Sequence, residues 1–126
     1  MQDLFVKIAN REIPAEIIWE NDDFMAFLDT SPIQTGHTLV IPKSRTDYIF
    51  DLNDYDFSEF FLAAKTVAQI LKSKLKCKKV GILVEGFAVS HCHIHLIPLN
   101  YASDMNSEPQ EVSSEELAKT AKRLTE

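Results

Sequence analysis

Three of the four histidines in this chain fall at alternate positions within the stretch Ser90-His91-Cys92-His93-Ile94-His95-Leu96-Ile97-Pro98. Strict polar–apolar alternation is the signature of a β-strand with two unlike faces, because side chains two apart in a strand point the same way. The pattern predicts a strand whose His91, His93 and His95 line one face, with about 6–7 Å between successive side chains. Cys92, Ile94 and Leu96 would then point into a core, and Pro98, which lacks an N–H, would end the strand or sit at an edge. A single strand histidine is ordinarily a half-buried, hydrogen-bonded side chain. Three in register need a chemical reason, since polar groups on a buried face need partners. Two readings supply one: metal chelation by His-x-His, and phosphate chemistry, in which a neutral imidazole attacks phosphorus while neighbours hold the oxygens.

The 126 residues suit one domain with one core. A formal charge of −6 and a sequence pI near 5.2 argue against a nucleic-acid polymer as partner, because phosphate backbones attract basic surfaces. A small phosphorylated ligand is compatible with that charge, since one local site can oppose it. Cys77 and Cys92 make no disulfide framework, and Cys92 falls among core positions, so both read as reduced thiols of a cytoplasmic protein. No run of about 18 apolar residues exists to span a membrane. Met1-Gln2-Asp3 lacks the basic start and apolar run of a signal peptide.

Along the chain, Asp3 is placed to cap a short helix carrying Leu4, Phe5 and Ile8 on one side, an apolar edge that is either plain core or the wall of a flat ligand. Ile13-Pro14 breaks the helix. Glu16 to Trp19 and Phe24 to Leu28 read as two strands of a hairpin around the turn Asn21-Asp22-Asp23. Asp29, which follows, is either a turn former or a carboxylate that accepts hydrogen bonds from sugar hydroxyls. Gly36 to Lys43 reads as a third strand opened by His37, whose weight depends on whether that strand lies beside the histidine strand. The longest helix starts at Asn53 or Asp54 and runs to about Lys76. Phe57, Phe60, Phe61, Ala64, Val67, Ala68, Leu71 and Leu75 keep helical spacing on one face, widened by Ala63 and Ile70. Asp54, Asp56 and Glu59 at its start and Lys72, Lys74 and Lys76 at its end suit the helix dipole. A face this wide points to a second subunit as well as to a sheet. Val80 to Val84 reads as a fourth strand, and the short link Glu85 to Val89 delivers the chain to the histidines. After Pro98 the chain turns polar, and Ser113 with Glu116 fits a capping box for a final, peripheral helix to about Thr125. Strands interleaved with long helices predict an α+β domain, here residues 1–100, followed by a tail over 101–126.

His91-Cys92-His93-Ile94-His95-Leu96-Ile97 resembles the motif of the histidine-triad (HIT) family, three histidines alternating with apolar residues. Phe5-x-Lys7-Ile8 with Arg11 to Ala15, Ala26-Phe27-Leu28-Asp29-x-x-Pro32, and Gly36-His37-x-Leu39 to Lys43 look like its earlier blocks. The resemblance spans roughly residues 3–100 and is closest to the Hint-like branch. It implies a five-stranded antiparallel sheet with one long helix packed on it, short helices at the ends, and a homodimer through the 54–76 helix and neighbouring strands. It also implies attack on the α-phosphate of purine nucleoside phosphoramidates or adenylates by His93, giving a nucleotidyl-histidine that water cleaves. On this reading His91, His95 and His37 surround the phosphate or orient His93. Asp29 holds the ribose, and Leu4, Phe5, Ile8, Ile13 and Phe27 wall the base. No cofactor is implied. The chemistry is sound from below: imidazole is nucleophilic when neutral, provided one ring nitrogen donates to a neighbour, commonly a carbonyl, and leaves the other free.

Three departures stand out. Asp3 and Val6 occupy positions where some members carry a zinc-binding Cys-x-x-Cys, so a structural zinc is not expected. Before the triad, Val84-Glu85-Gly86-Phe87-Ala88-Val89 is shorter than the usual Gly-rich link: Gly86 matches its glycine, but Phe87 and Ala88 replace a polar pair that contacts phosphates. Ser90 is a nearby hydroxyl that would partly compensate, and Gly86, Ala88 and Ser90 are read with the nucleotide-binding residues. Cys92 replaces a bulkier apolar residue, a neutral change. Alternatives are cleavage of dinucleoside polyphosphates, nucleotide binding with little turnover, and a metal-dependent enzyme on the histidine face.

Overall fold

β2 (Phe24–Leu28) and β3 (Thr38–Pro42) are buried at every position, so both faces of the sheet they form must be covered. The structure, a computed structural model, describes residues 4–126 and shows what covers them. β1 (Ile17–Glu20), β2, β3, β4 (Lys79–Leu83) and β5 (Ile94–Leu99) form one antiparallel sheet in the order β1-β2-β3-β5-β4. On one face Phe24, Ala26 and Leu28 of β2, Val40 of β3, and Ile94 and Leu96 of β5 meet Phe60, Ala64, Val67 and Leu71 of the long helix α2 (Asp54–Leu75). Phe24 stacks on Phe60 with ring centroids 5.5 Å apart and planes 5° from parallel. On the other face the alternate residues Met25, Phe27, Leu39 and Ile41 meet Phe5 and Ile8 of α1 (Leu4–Ala9). The expected cap, Asp3, lies outside the described residues.

α2 follows its local chemistry. The Asn53 side chain accepts the Asp56 N–H at 2.8 Å, Asp54 and Asp56 lie in the first turn, and Lys72 and Lys74 lie in the last. Lys76 closes it in the left-handed region at φ 57°. Among the described residues no helix is long and apolar enough to cross a membrane.

Two expectations change. The histidine strand begins at Ile94, so of the triplet only His95 lies in β5; His91 and His93 precede the strand in an irregular bend. The β3–β5 ladder runs from Thr38↔Leu96 to Val40↔Ile94 and stops, because Pro42 has no N–H to extend it. The bend groups bond locally instead: the Cys92 N–H to the Thr46 carbonyl at 2.7 Å, and the His91 N–H to the Val89 carbonyl at 2.8 Å. Cys92, Ile94 and Leu96 do enter the α2-side core. Second, α3 (Ser114–Thr125) is not peripheral: it packs on α2 and β1, and its Ala121 and Leu124 are buried in the main core. The path to α3 includes a 3-10 turn at Ala102–Asn106 and then an extended strap that crosses the loop between β2 and β3.

Candidate active site

Antiparallel register brings the site together. Leu39 of β3 faces His95 of β5, so His37, two residues earlier, lies diagonally across from His95, within reach of a long side chain. Gly36 makes that entry possible: its φ is +90°, and a Cβ there would run into Leu75 Cδ1. The four histidines sit close together, with ring centroids 4.9 Å apart for His93 and His95 and 5.2 Å for His37 and His95. Phe5 of α1 packs edge-on against His93 and His91, at 5.0 and 5.7 Å.

Hydrogen-bond partners fix the proton on each ring. His93 Nδ1 is 2.8 Å from the His91 carbonyl oxygen; a carbonyl only accepts, so Nδ1 carries the proton and Nε2 keeps its lone pair. His91 is fully buried, and its Nε2–H donates to the Pro42 carbonyl at 2.7 Å. The Ile33 N–H donates to His37 Nδ1 at 3.1 Å, which places the His37 proton on Nε2. That N–H donates to His95 Nδ1 at 2.9 Å, leaving the His95 proton on Nε2. Burial pushes both rings toward the neutral form: His95 falls to about 4, through desolvation first and then the neighbouring His93 and His37, and His37 is lowered by desolvation against an opposing pull from Asp29.

His93 and His95 line a cavity of about 360 Å³. Leu4, Phe5, Ile8, Ile13 and Phe27 supply apolar wall, and Asp29 and Ala88 complete the expected set that reaches it. Asp29 Oδ1 accepts the Ser31 N–H at 2.8 Å, and Oδ2 lies 3.6 Å from His37 Nε2. His37 stands behind His95 and does not line this cavity, nor does His91. Gly86 and Ser90 lie elsewhere, in a neighbouring hollow of about 460 Å³ shared with Phe50, Phe61, Phe87 and Cys92. Leu39, Pro14, Thr30 and Val89 also line the histidine cavity and were not singled out from sequence; Leu39 had a signal, its place one strand register from the histidines.

Asp29, His37 and His95 offer three metal-ligand atoms within 4.8 Å of one another. The proton positions do not suit a metal there. His37 Nδ1 already accepts from Ile33, so ligation through Nε2 would strip the ring of its remaining proton. His37 and His95 form a hydrogen-bonded pair, with the Asp29 carboxylate beside it as a charge contact at 3.6 Å.

A family model described as the HIT domain matches residues 10–101. The chain belongs to the HIT family. An uncharacterised HIT-like protein of Methanocaldococcus jannaschii is 37% identical over 100 residues, covering 75% of this chain and 77% of that protein. Among solved structures, a hypothetical histidine triad nucleotide-binding protein of Sulfolobus tokodaii superposes with a TM-score of 0.85 at 27% identity, over 96% of this chain and 88% of the other. A HIT family hydrolase of Legionella pneumophila superposes with a TM-score of 0.67 at 29% identity, over 76% and 91%. The five-stranded antiparallel sheet with one long helix matches the fold of these solved structures.

Proposed function

We propose that this HIT protein is a nucleotide hydrolase or transferase that attacks the α-phosphate of purine nucleoside phosphoramidates or related adenylates through a nucleotidyl intermediate on His93. The observation that carries this is the His93–His91 hydrogen bond, which commits Nδ1 and leaves a lone pair on Nε2 of a ring lining an apolar cavity. In the first step Nε2 bonds to phosphorus and the leaving group departs with its electron pair. The ring becomes cationic, and the His91 carbonyl dipole on Nδ1–H stabilises that charge. His95 Nε2–H donates to the developing charge on the phosphoryl or leaving atom. In the second step water attacks phosphorus, the P–Nε2 bond breaks and its electron pair returns to the ring. The proton lost by water balances the one the leaving group gains. The apolar walls suit a flat base, and Asp29, with one oxygen not engaged by Ser31, suits ribose hydroxyls.

The reading is supported by likeness to a hypothetical histidine triad nucleotide-binding protein and to a HIT family hydrolase. Two buried, unpaired cysteines support a cytoplasmic setting. The test is AMP release from an adenosine phosphoramidate with EDTA present throughout. The wild type should turn over, and His93→Ala should lose at least about a thousandfold in kcat while still binding AMP. A second reading, nucleotide binding with little turnover, is favoured by one feature: from the 84–90 link only Ala88 and Val89 line the cavity, and neither offers a side-chain donor. AMP binding without turnover in the wild type would favour it.

A further inference from the structure

The 3-10 turn and the strap that leads from it to α3 touch the β2–β3 loop at two points. The Gln110 N–H donates to the Pro32 carbonyl at 2.8 Å. The Gln34 side-chain amide donates to the Asp104 carbonyl at 3.0 Å and to Ser107 Oγ at 2.8 Å. Ile33, between those two anchored residues, donates its N–H to His37 Nδ1. The Pro32 carbonyl and the Ile33 N–H are two ends of one peptide unit. That unit is trans, so it is planar and its two ends point in opposite directions. Holding the carbonyl toward Gln110 therefore aims the N–H at His37.

One continuous chain of hydrogen bonds results: Gln110 N–H to Pro32 C=O, Ile33 N–H to His37 Nδ1, His37 Nε2–H to His95 Nδ1, with His95 Nε2–H left for the cavity. Its polarity is set at the outer end. Were the Pro32–Ile33 peptide to flip, a carbonyl would face His37 Nδ1 and draw the proton there. His37 Nε2 would become an acceptor, His95 would donate through Nδ1, and His95 Nε2 would present a lone pair to a phosphoryl oxygen, where it repels instead of stabilising.

We infer that the C-terminal strap, through the Gln110 amide and the Gln34 side chain, is a positioning element that sets the tautomers of His37 and His95 and so makes His95 a donor to the reacting phosphate. This rests on the hydrolase reading of the site. The test reads ring nitrogens by 15N NMR on the full chain without substrate, alongside kcat and KM. Wild-type His37 and His95 should both carry their proton on Nε2. Gln110→Pro, which removes the strap's donor and also places a ring against the Pro32 carbonyl, should populate the Nδ1–H forms of both rings. It should lower kcat by about ten- to a hundredfold with KM held within about twofold. Gln110→Ala keeps the N–H and should match the wild type. Gln34→Ala should shift tautomers and kcat in the same direction, and it carries the test should Gln110→Pro fail to fold. Folded Gln110→Pro or Gln34→Ala with wild-type tautomers would overturn the inference, as would wild-type rings protonated on Nδ1. Absent turnover in a wild type with Nε2-protonated rings would count against the hydrolase reading alone, since the tautomer shift in the variants is read independently.

Discussion

His93 and His95 have the same side chain and ring centroids 4.9 Å apart, yet one offers a lone pair to the cavity and the other an N–H. The difference lies in their partners, a main-chain carbonyl for His93 and a second imidazole for His95. The four histidines and Asp29 were legible in the sequence because spacing and side-chain chemistry announce them. Their tautomers were not, because the groups that fix them, the His91 and Pro42 carbonyls and the Ile33 N–H, are main-chain atoms that every residue type carries. Burial of His95 also has a thermodynamic reading. Its folded value of about 4 lies below the ordinary 6.5, so between these values the unfolded chain binds more protons than the folded one. The stabilising contribution of neutral His95 is complete above about pH 6.5 and is lost as pH falls toward about 4; His37 shifts in the same direction. Calorimetry from about pH 7.5 down to about pH 4.5 should show the Tm of the wild type falling more steeply than that of His95→Gln. Parallel slopes would contradict this account.

At the scale of elements, α2 was legible almost to its ends, since Asn53, the acidic first turn and the lysines of the last turn agree with the apolar face. The Asn53 cap is open to measurement: Asn53→Ala should cost about 1 kcal/mol in urea unfolding, with the slope unchanged, and no loss would mean that Asp54 or water replaces the cap. The start of β5 was not legible. Alternating polarity persists through His91 and His93, but pairing depends on what β3 presents, and Pro42 ends that ladder. Register, rather than pattern, decides where a strand stops. The depth of α3 was hidden for a related reason. Leu117, Ala121 and Leu124 mark an apolar edge on a mostly charged helix, and only the groove between α2 and β1 turns that edge into core.

For the whole molecule, the sheet order leaves β4 at an edge with Ile82 and Leu83 53% and 43% exposed. Tyr55 and Leu62 of α2 are exposed as well, as are Phe50 and the 91%-exposed Phe87. An apolar, unpaired edge strand invites pairing with another chain. The resemblance implies a homodimer through the 54–76 helix and neighbouring strands; we propose that β4 is one of those strands, so that the dimer covers this edge. Light scattering at micromolar concentration should give a dimer, and Ile82→Lys a folded monomer; a wild-type monomer would sink the proposal. The strap has a different kind of consequence. Its contact with the loop at Pro32 is made by a main-chain amide, so any residue except proline at position 110 supplies it. Position 110, in the tail beyond the family match that ends at residue 101, can therefore drift in composition over evolutionary time while that bond persists, whereas the Ser107 hydroxyl that meets Gln34 is tied to its side chain. Aligned sequences would record a variable, dispensable terminus where the molecule keeps a brace for its histidines.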